Sequence, residues 1–247
     1  MAYDLRSISQ VGTSEPFELQ VSRGQIPGHR VRNVFGFSTA IGTSFTTPWE
    51  LGNTNALPLI STASPLDVAS SAAGDTTQIV RLIGLDADYN EIAENVSLNG
   101  TTTITTTNSF KAINDFITVS GNCAGNVTAK ISSVVYAQIT AGTGRNQAAI
   151  FTVPAGHSFY LSRIDAFSAT ASGASKYLTF LNKNTFSDGR VFNVAETTFA
   201  QRMDIMRVLP FKVSEKTTLE FQAKTNSTTA EAGIFGEGFL VKEEGSL

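Results

Sequence analysis

A single cysteine, Cys123, occurs in 247 residues. One thiol cannot close an internal disulfide or build a cysteine-based zinc site, so packing and hydrogen bonds must hold the fold. Histidine is nearly as scarce, with only His29 and His157. They are far apart in sequence, and no motif joins them to a serine, the cysteine or a carboxylate cluster. Neither a Gly-x-Ser-x-Gly elbow nor a His-Glu-x-x-His helix occurs. Charged residues are only 16% of the chain, and 18 Lys and Arg stand against 21 Asp and Glu, a net charge of −3. With no basic excess to neutralise phosphates, nucleic acid is not an expected partner. No apolar run approaches the roughly 18 residues of a membrane span, so no membrane partner is expected. The segment from Met1 to Arg6 is polar and lacks the apolar stretch of a signal peptide. The expectation is a protein made in a reducing cytoplasm.

What is present favours strands. Hydrophobic residues make up 41% of the chain, with 17 phenylalanines to fill a core, and disordered chains lack that content. Serine and threonine together supply roughly a fifth of the residues, above ordinary usage. Threonine suits strands through its β-branch. A surface of short Thr side chains is also cheap to bury between subunits, since ordering a Lys side chain costs about 2 kcal/mol of rotamer entropy.

Along the chain, residues 1–50 read as an extended N-terminal arm. Phe17, Leu19 and Val21 alternate, Gly24, Pro27 and Gly28 interrupt, and Phe35, Phe37, Thr39 and Ile41 share a face. Residues 42–76 are rich in loop formers. Residues 79–85 and 92–98 flank a turn at Asp86-Ala87-Asp88-Tyr89-Asn90-Glu91 and form a hairpin. Thr101 to Thr107 is a polar β-branched strand, and Ile113, Asp115, Ile117 and Val119 alternate. From Val127 to Ile139 apolar residues recur at every second position, predicting one long half-buried strand. Residues 140–146 form the linker. The remainder repeats the pattern, with Val153-Pro154-Ala155-Gly156 as a tight turn and a hairpin joining 209–213 to 217–223. The stretch 196–208 suits helix or strand, and its neighbours favour strand. The expected fold class is all-β. Two antiparallel β-sandwich or jelly-roll domains, 51–139 and 147–247, carry the arm 1–50 and the linker 140–146.

Candidate chemistry thins on inspection. Asp86-x-Asp88-x-Asn90 opens like a calcium loop, but Glu91 stands where glycine is needed and Ser97 where a bidentate glutamate is needed. A turn held by Asx hydrogen bonds fits better. Gly142-Thr143-Gly144 lacks the Lys-Ser/Thr pair of a phosphate loop. Glu91 and Glu94 fall on opposite faces of a strand, so they do not make the paired carboxylates of a glycosidase. No catalytic residue, cofactor or metal site is expected, and the protein reads as no enzyme.

One pattern stands out. With Leu85 opposite Ile92, the hairpin places Arg81 and Glu94 on the same apolar face as Ile79, Ile83, Val96 and Leu98. A charge pair there is costly unless hydrogen-bonded or sited at a subunit contact. Arg81 and Glu94 are therefore expected to form an ion pair at an interface; the alternative is an edge hairpin with a solvated rim. Phe35 and Phe37 in the arm are further interface candidates.

The run Gly84-Leu85-Asp86-Ala87-Asp88-Tyr89-Asn90-Glu91-Ile92-Ala93-Glu94, followed by Val96-Ser97-Leu98-Asn99-Gly100-Thr101, resembles a pattern in virion structural proteins of tailed bacteriophages, notably of marine and cyanobacterial hosts. Arg23-Gly24, Gly28-His29, Phe35-Gly36 and the turn from Val153 to Gly156 extend that resemblance over most of the chain. It implies a virion protein assembled in the bacterial host cytoplasm and brings no catalytic residues with it. The expectation is a capsid decoration or cement protein, a homotrimer bound to the major capsid protein or other virion proteins. The alternatives are a tail or fibre component binding host glycans through Tyr89, Trp49 or Tyr160, and a glycan-acting enzyme.

Overall fold

The computed structural model describes residues 15–51, 56–169, 177–226 and 229–243. In chain order its elements are α1 (Phe17–Ser22), β1 (His29–Ile41), β2 (Asp67–Ser70), β3 (Ile79–Leu85), β4 (Glu91–Ser97), β5 (Ile104–Thr105), β6 (Ala112–Ser120), β7 (Val127–Ile131), β8 (Val134–Ile139), β9 (Ile150–Thr152), β10 (His157–Ala169), β11 (Leu178–Thr185), β12 (Val191–Phe199), β13 (Arg202–Val213), β14 (Thr218–Thr225) and β15 (Ala230–Lys242). The chain is all-β, and its sheets are antiparallel.

Two hydrophobic cores organise these strands. One holds Leu66, Val68, Val80, Leu82, Phe110, Phe116, Val127 and Ile139. It lies between the sheet β5-β2-β7-β8 and the sheet β4-β3-β6. The other holds Val34, Phe151, Phe159, Leu161, Phe180, Phe221 and Ile234. It lies between the sheet β1-β15-β10-β13 and the sheet β12-β11-β14-β9. Alternation sets each inner face: Leu219 and Phe221 point into the second core, while Thr218, Glu220 and Gln222 do not.

The expected arm differs most from what is found. Residues 29–41 form an integral strand, running antiparallel to β15 from His29 opposite Val241 to Ser38 opposite Ala232. Val34 and Ser38 are buried. Gly36 lets the chain at 48 and 149 close over the strand, since a Cβ there would sit 2.3 Å from the Ala149 nitrogen and 2.4 Å from the Pro48 carbonyl. Phe17, Leu19 and Val21 lie on a helical turn instead of a strand. Residues 1–14 of the expected arm lie outside the described residues.

Turns explain the other departures. The expected strand 127–139 is a hairpin, because Ser132 adopts φ +56° and starts a two-residue turn. Such a turn pairs odd positions with even ones. A bulge at Tyr136 then restores parity, so Ala129 faces Ala137 and both halves reach the same core. The strands on either side of residues 214–216 belong to different sheets, so that pair is a corner and not a hairpin. In β6 the buried residues are Asn114 and Phe116, the phase opposite to Ile113 and Asp115. The stretch 196–208 is strand, broken by a turn between β12 and β13.

Residues 42–50 follow β1 as an ordered strap along β14 and the segment before β9. Thr46 bridges Ala223, and the Thr47 hydroxyl donates to Glu220 at 2.9 Å. Trp49 is fully buried, so it offers no exposed ring to a glycan. Glu220 is itself buried and also accepts from Lys183 at 2.8 Å, which compensates its desolvation.

Candidate functional site

Three features stand apart from ordinary packing: the seam between the sandwiches, a cleft along that seam, and an exposed sheet edge.

The seam is polar and directional. Arg30 of β1 donates to both carboxylate oxygens of Glu91 at 2.5 Å. Arg32 pairs with Asp115, donates to the Asn114 carbonyl at 2.6 Å, and stacks 4.7 Å from the Phe151 ring centre. Arg145 reaches the other oxygen of Asp115 at 3.1 Å. The buried Asn114 side chain mimics a strand partner for Thr152, donating to its carbonyl at 2.8 Å and accepting from its N–H at 2.9 Å. Asn146 holds Phe116 from both its backbone and its side chain: its N–H donates to the Phe116 carbonyl at 2.8 Å, and its side-chain oxygen accepts from the Phe116 N–H at 2.8 Å. Of the ion pairs, Arg32 with Asp115 is the half-buried, charge-assisted one and the stronger, while Arg30 with Glu91 is exposed and adds little. Beside it Glu50 accepts from the Gln147 N–H, while its second oxygen is buried without a partner. Burial raises its pKa to about 7, against the lowering pull of the Glu50 and Gln147 N–H groups and the Arg145 charge.

A cavity of about 150 Å³ opens along the same seam. Leu57, Leu59, Ile60, Tyr89, Lys111 and Tyr136 line it from the first sandwich, and Thr152, Thr185, Phe186 and Lys216 from the second. The turn of the β3–β4 hairpin supplies Tyr89. Its geometry is set by Asp86, whose carboxylate accepts the N–H groups of Asp88 at 2.9 Å and Asn90 at 2.8 Å. The Tyr89 carbonyl is held in turn by the Ala155 N–H at 2.8 Å. Burial pushes the Tyr89 phenol pKa up, so the group remains a donor at neutral pH.

The exposed edge belongs to β12 and β13, each hydrogen-bonded on one side only among the described residues. Opposite Ser162, the single residue between Leu161 and Arg163, β13 has four residues, 207–210. The surplus bulges outward and leaves Met206 76%, Val208 97% and Leu209 83% exposed. On β12, Val191 and Phe192 are exposed and only Phe199 is buried.

The interface candidates fall in two places. Arg81 and Glu94 do not form the expected ion pair. Leu85 stands opposite Glu91 and not Ile92, so Arg81 faces Asn95 and Glu94 faces Leu82, on opposite sides of the sheet. A one-residue slip in register exchanges the faces of a whole strand. Arg81 is exposed, and the Glu94 carboxylate caps the N–H groups of Thr107 and Asn108, each at 2.8 Å. Phe35 and Phe37 are half-buried on the side of β1 away from its core, opposite Phe235 and Gly233, with Phe37 stacked on Phe167 at 6.3 Å. The histidines each bond to their own turn, His29 to the Pro27 carbonyl and His157 to the Ala155 carbonyl. Sequence reasoning passed over the cleft and the bulge.

No protein-family model matches the chain. No curated protein matches it either. Among solved structures, the VP2 subviral particle of infectious bursal disease virus is 11% identical, with 92% of this chain and 77% of that chain covered and a TM-score of 0.24. A structure of the Gt strain of the same virus is 11% identical over 94% of this chain and 79% of that one, with a TM-score of 0.23. TM-scores of this size do not establish a shared fold.

Proposed function

We propose that the protein is a non-catalytic structural subunit of a tailed-phage virion, a capsid decoration protein that assembles as a homotrimer on the head shell and contacts the major capsid protein. The observation that carries the assembly reading is the edge at β12 and β13. Unpaired strand edges bearing exposed apolar residues invite pairing with another chain, and soluble monomers blunt them with charge, proline or a covering loop. Here the bulge and Pro210 block strand pairing at 207–210 itself, yet Val208 and Leu209 stay exposed there as an apolar contact beside the unpaired edge of β12. A second copy seated on this edge would cover them and satisfy the free backbone groups of β12.

The strand order supports the same reading. Eight strands arranged as β1-β15-β10-β13 against β12-β11-β14-β9 are the order of a jelly roll, an architecture that serves viral capsids and lectins. The first sandwich then enters as one insertion between the first two strands of that roll, tied down by the Arg30, Arg32 and Arg145 pairs. Since fold alone does not decide function, the phage assignment draws on the resemblance in the 84–101 segment. Assembly in the host cytoplasm fits a fold held without disulfides. Gold-labelled antibody on purified particles tests the placement. Label over the whole head is the expected result; label confined to the tail would replace this reading with the tail-component alternative.

A further inference from the structure

We propose that the cleft between the two sandwiches is a binding site for one acidic sugar residue, a pyranose carrying a carboxylate. The inference does not rest on the assembly reading, since the cleft lies within a single chain.

Charge points to the anion. Lys111 and Lys216 line the cleft, and among the described residues no aspartate or glutamate does, although the chain as a whole is acidic. Lys111 donates to the carbonyls of Ile60 at 3.0 Å and Ser61 at 2.6 Å, leaving one of its three N–H groups for a ligand. Lys183 pairs with Glu220 and Lys212 with Glu243, whereas Lys111 and Lys216 have no ion pair among the described residues. A cleft with two lysines and no facing carboxylate gains Coulomb energy from a bound anion.

Hydroxyls and rings point to the sugar. Thr185 lines the cleft, and its hydroxyl is buried with no hydrogen-bond partner, a cost that a ligand hydroxyl reaching it would remove. The Thr152 and Thr218 hydroxyls already satisfy each other at 2.9 Å. Tyr89, Tyr136 and Phe186 are among the residues lining it, and aromatic rings are the usual partners of the C–H face of a pyranose. The volume of about 150 Å³ admits one ring and falls below the roughly 300 Å³ at which drug-sized ligands begin.

Backbone strain falls at the same place. Tyr89 at φ +68° and Lys216 at φ +57° are two of the three described non-glycine residues with positive φ, and both line the cleft. Such conformations cost energy and concentrate where side chains must be aimed.

The test is titration of the chain with glucuronic, galacturonic and N-acetylneuraminic acids, read by calorimetry and by the NMR signals of Tyr89 and Tyr136. Glucose and acetate serve as controls. At least one acidic sugar is expected to bind at about millimolar strength, with glucose and acetate at least about tenfold weaker. Lys216→Asn keeps a residue that tolerates positive φ and is expected to weaken binding about tenfold. Thr185→Val removes the unpartnered hydroxyl and is expected to weaken binding several-fold without lowering the unfolding temperature. The proposal is overturned if no acidic sugar binds, if glucose or acetate binds equally well, or if both variants bind like the parent.

Discussion

Replacing Glu50 by glutamine should remove a pH dependence built into the seam. The Glu50 carboxyl has its pKa raised from 4.5 to about 7, chiefly by burial. A folded-state pKa above the unfolded one means that the folded chain holds the proton more tightly. Stability from this group is therefore complete below about pH 4.5, falls as pH rises toward 7, and stays low above it. A tenfold difference in proton affinity is worth about 1.4 kcal/mol, so the group costs the fold about 3 kcal/mol at pH 8 relative to pH 4. In Glu50→Gln the side-chain oxygen still accepts from the Gln147 N–H, and no charge is left to desolvate. Its amide N–H2 takes the place of the unpartnered oxygen, at a cost of about 1 kcal/mol. The variant should gain about 2 kcal/mol at pH 8, a rise of several degrees in Tm for a chain of this size. The two proteins should converge near pH 5. Thermal unfolding followed by circular dichroism from pH 5 to pH 8 gives the comparison. Because every other titrating group is common to both proteins, the difference between the curves is the quantity to read. A difference that stays constant over that range refutes the reasoning.

Asp75 is buried and accepts from the Ser70 hydroxyl at 2.6 Å and from the Ala124 and Gly125 N–H groups at 2.9 and 3.1 Å. Asp75→Ala strands two backbone donors in the loop around Cys123 and should cost about 2–4 kcal/mol at pH 7 by urea unfolding. The Ser70 hydroxyl, first among its partners, lowers the Asp75 pKa below 3.8. Its stabilising share is thus present above that value and is lost as pH falls through the lowered pKa, so parent and variant should converge in strong acid. Gly36→Ala drives a methyl against the Ala149 nitrogen and the Pro48 carbonyl. It should cost several kcal/mol in the same assay, or force the strap away from β1 and raise the fluorescence exposure of Trp49.

The strands were legible where their residues are local neighbours. The 79–98 hairpin, the turn at Asp86 and most strands of the second sandwich follow from alternation and turn residues, whereas the turn at 214–216 was legible only as a turn, and the expected hairpin there is a corner between sheets. Register was not, because the loop at 86–90 closes one residue earlier than its polar composition suggests. That single step produced the false pairing of Arg81 with Glu94. Alternation also runs unbroken through Ser132, where a positive φ reverses the chain, so a hairpin looked like one strand. The placement of β1 was illegible for a different reason. Its partner β15 lies about two hundred positions away, and periodicity shows which face is apolar without showing which strand will lie beside it. The cleft draws on residues from Leu57 to Thr218, and nothing in their local sequence marks them as a set. The bulge at 207–210 was marked only by Pro210, a residue confined within sheets to edges and bulges, since its valine and leucine read as ordinary strand residues.

The central claim is that the exposed edge at β12 and β13 joins copies of this chain. Light scattering on the purified protein at micromolar concentration, beside Leu209→Asp, tests it most directly. The account predicts a mass three times the 26.3 kDa of the chain. For Leu209→Asp it predicts a monomer with the parent's circular dichroism and Tm, because Leu209 is 83% exposed and contributes little to its own core. A parent that is monomeric at that concentration, or a trimer unaffected by Leu209→Asp, would contradict it.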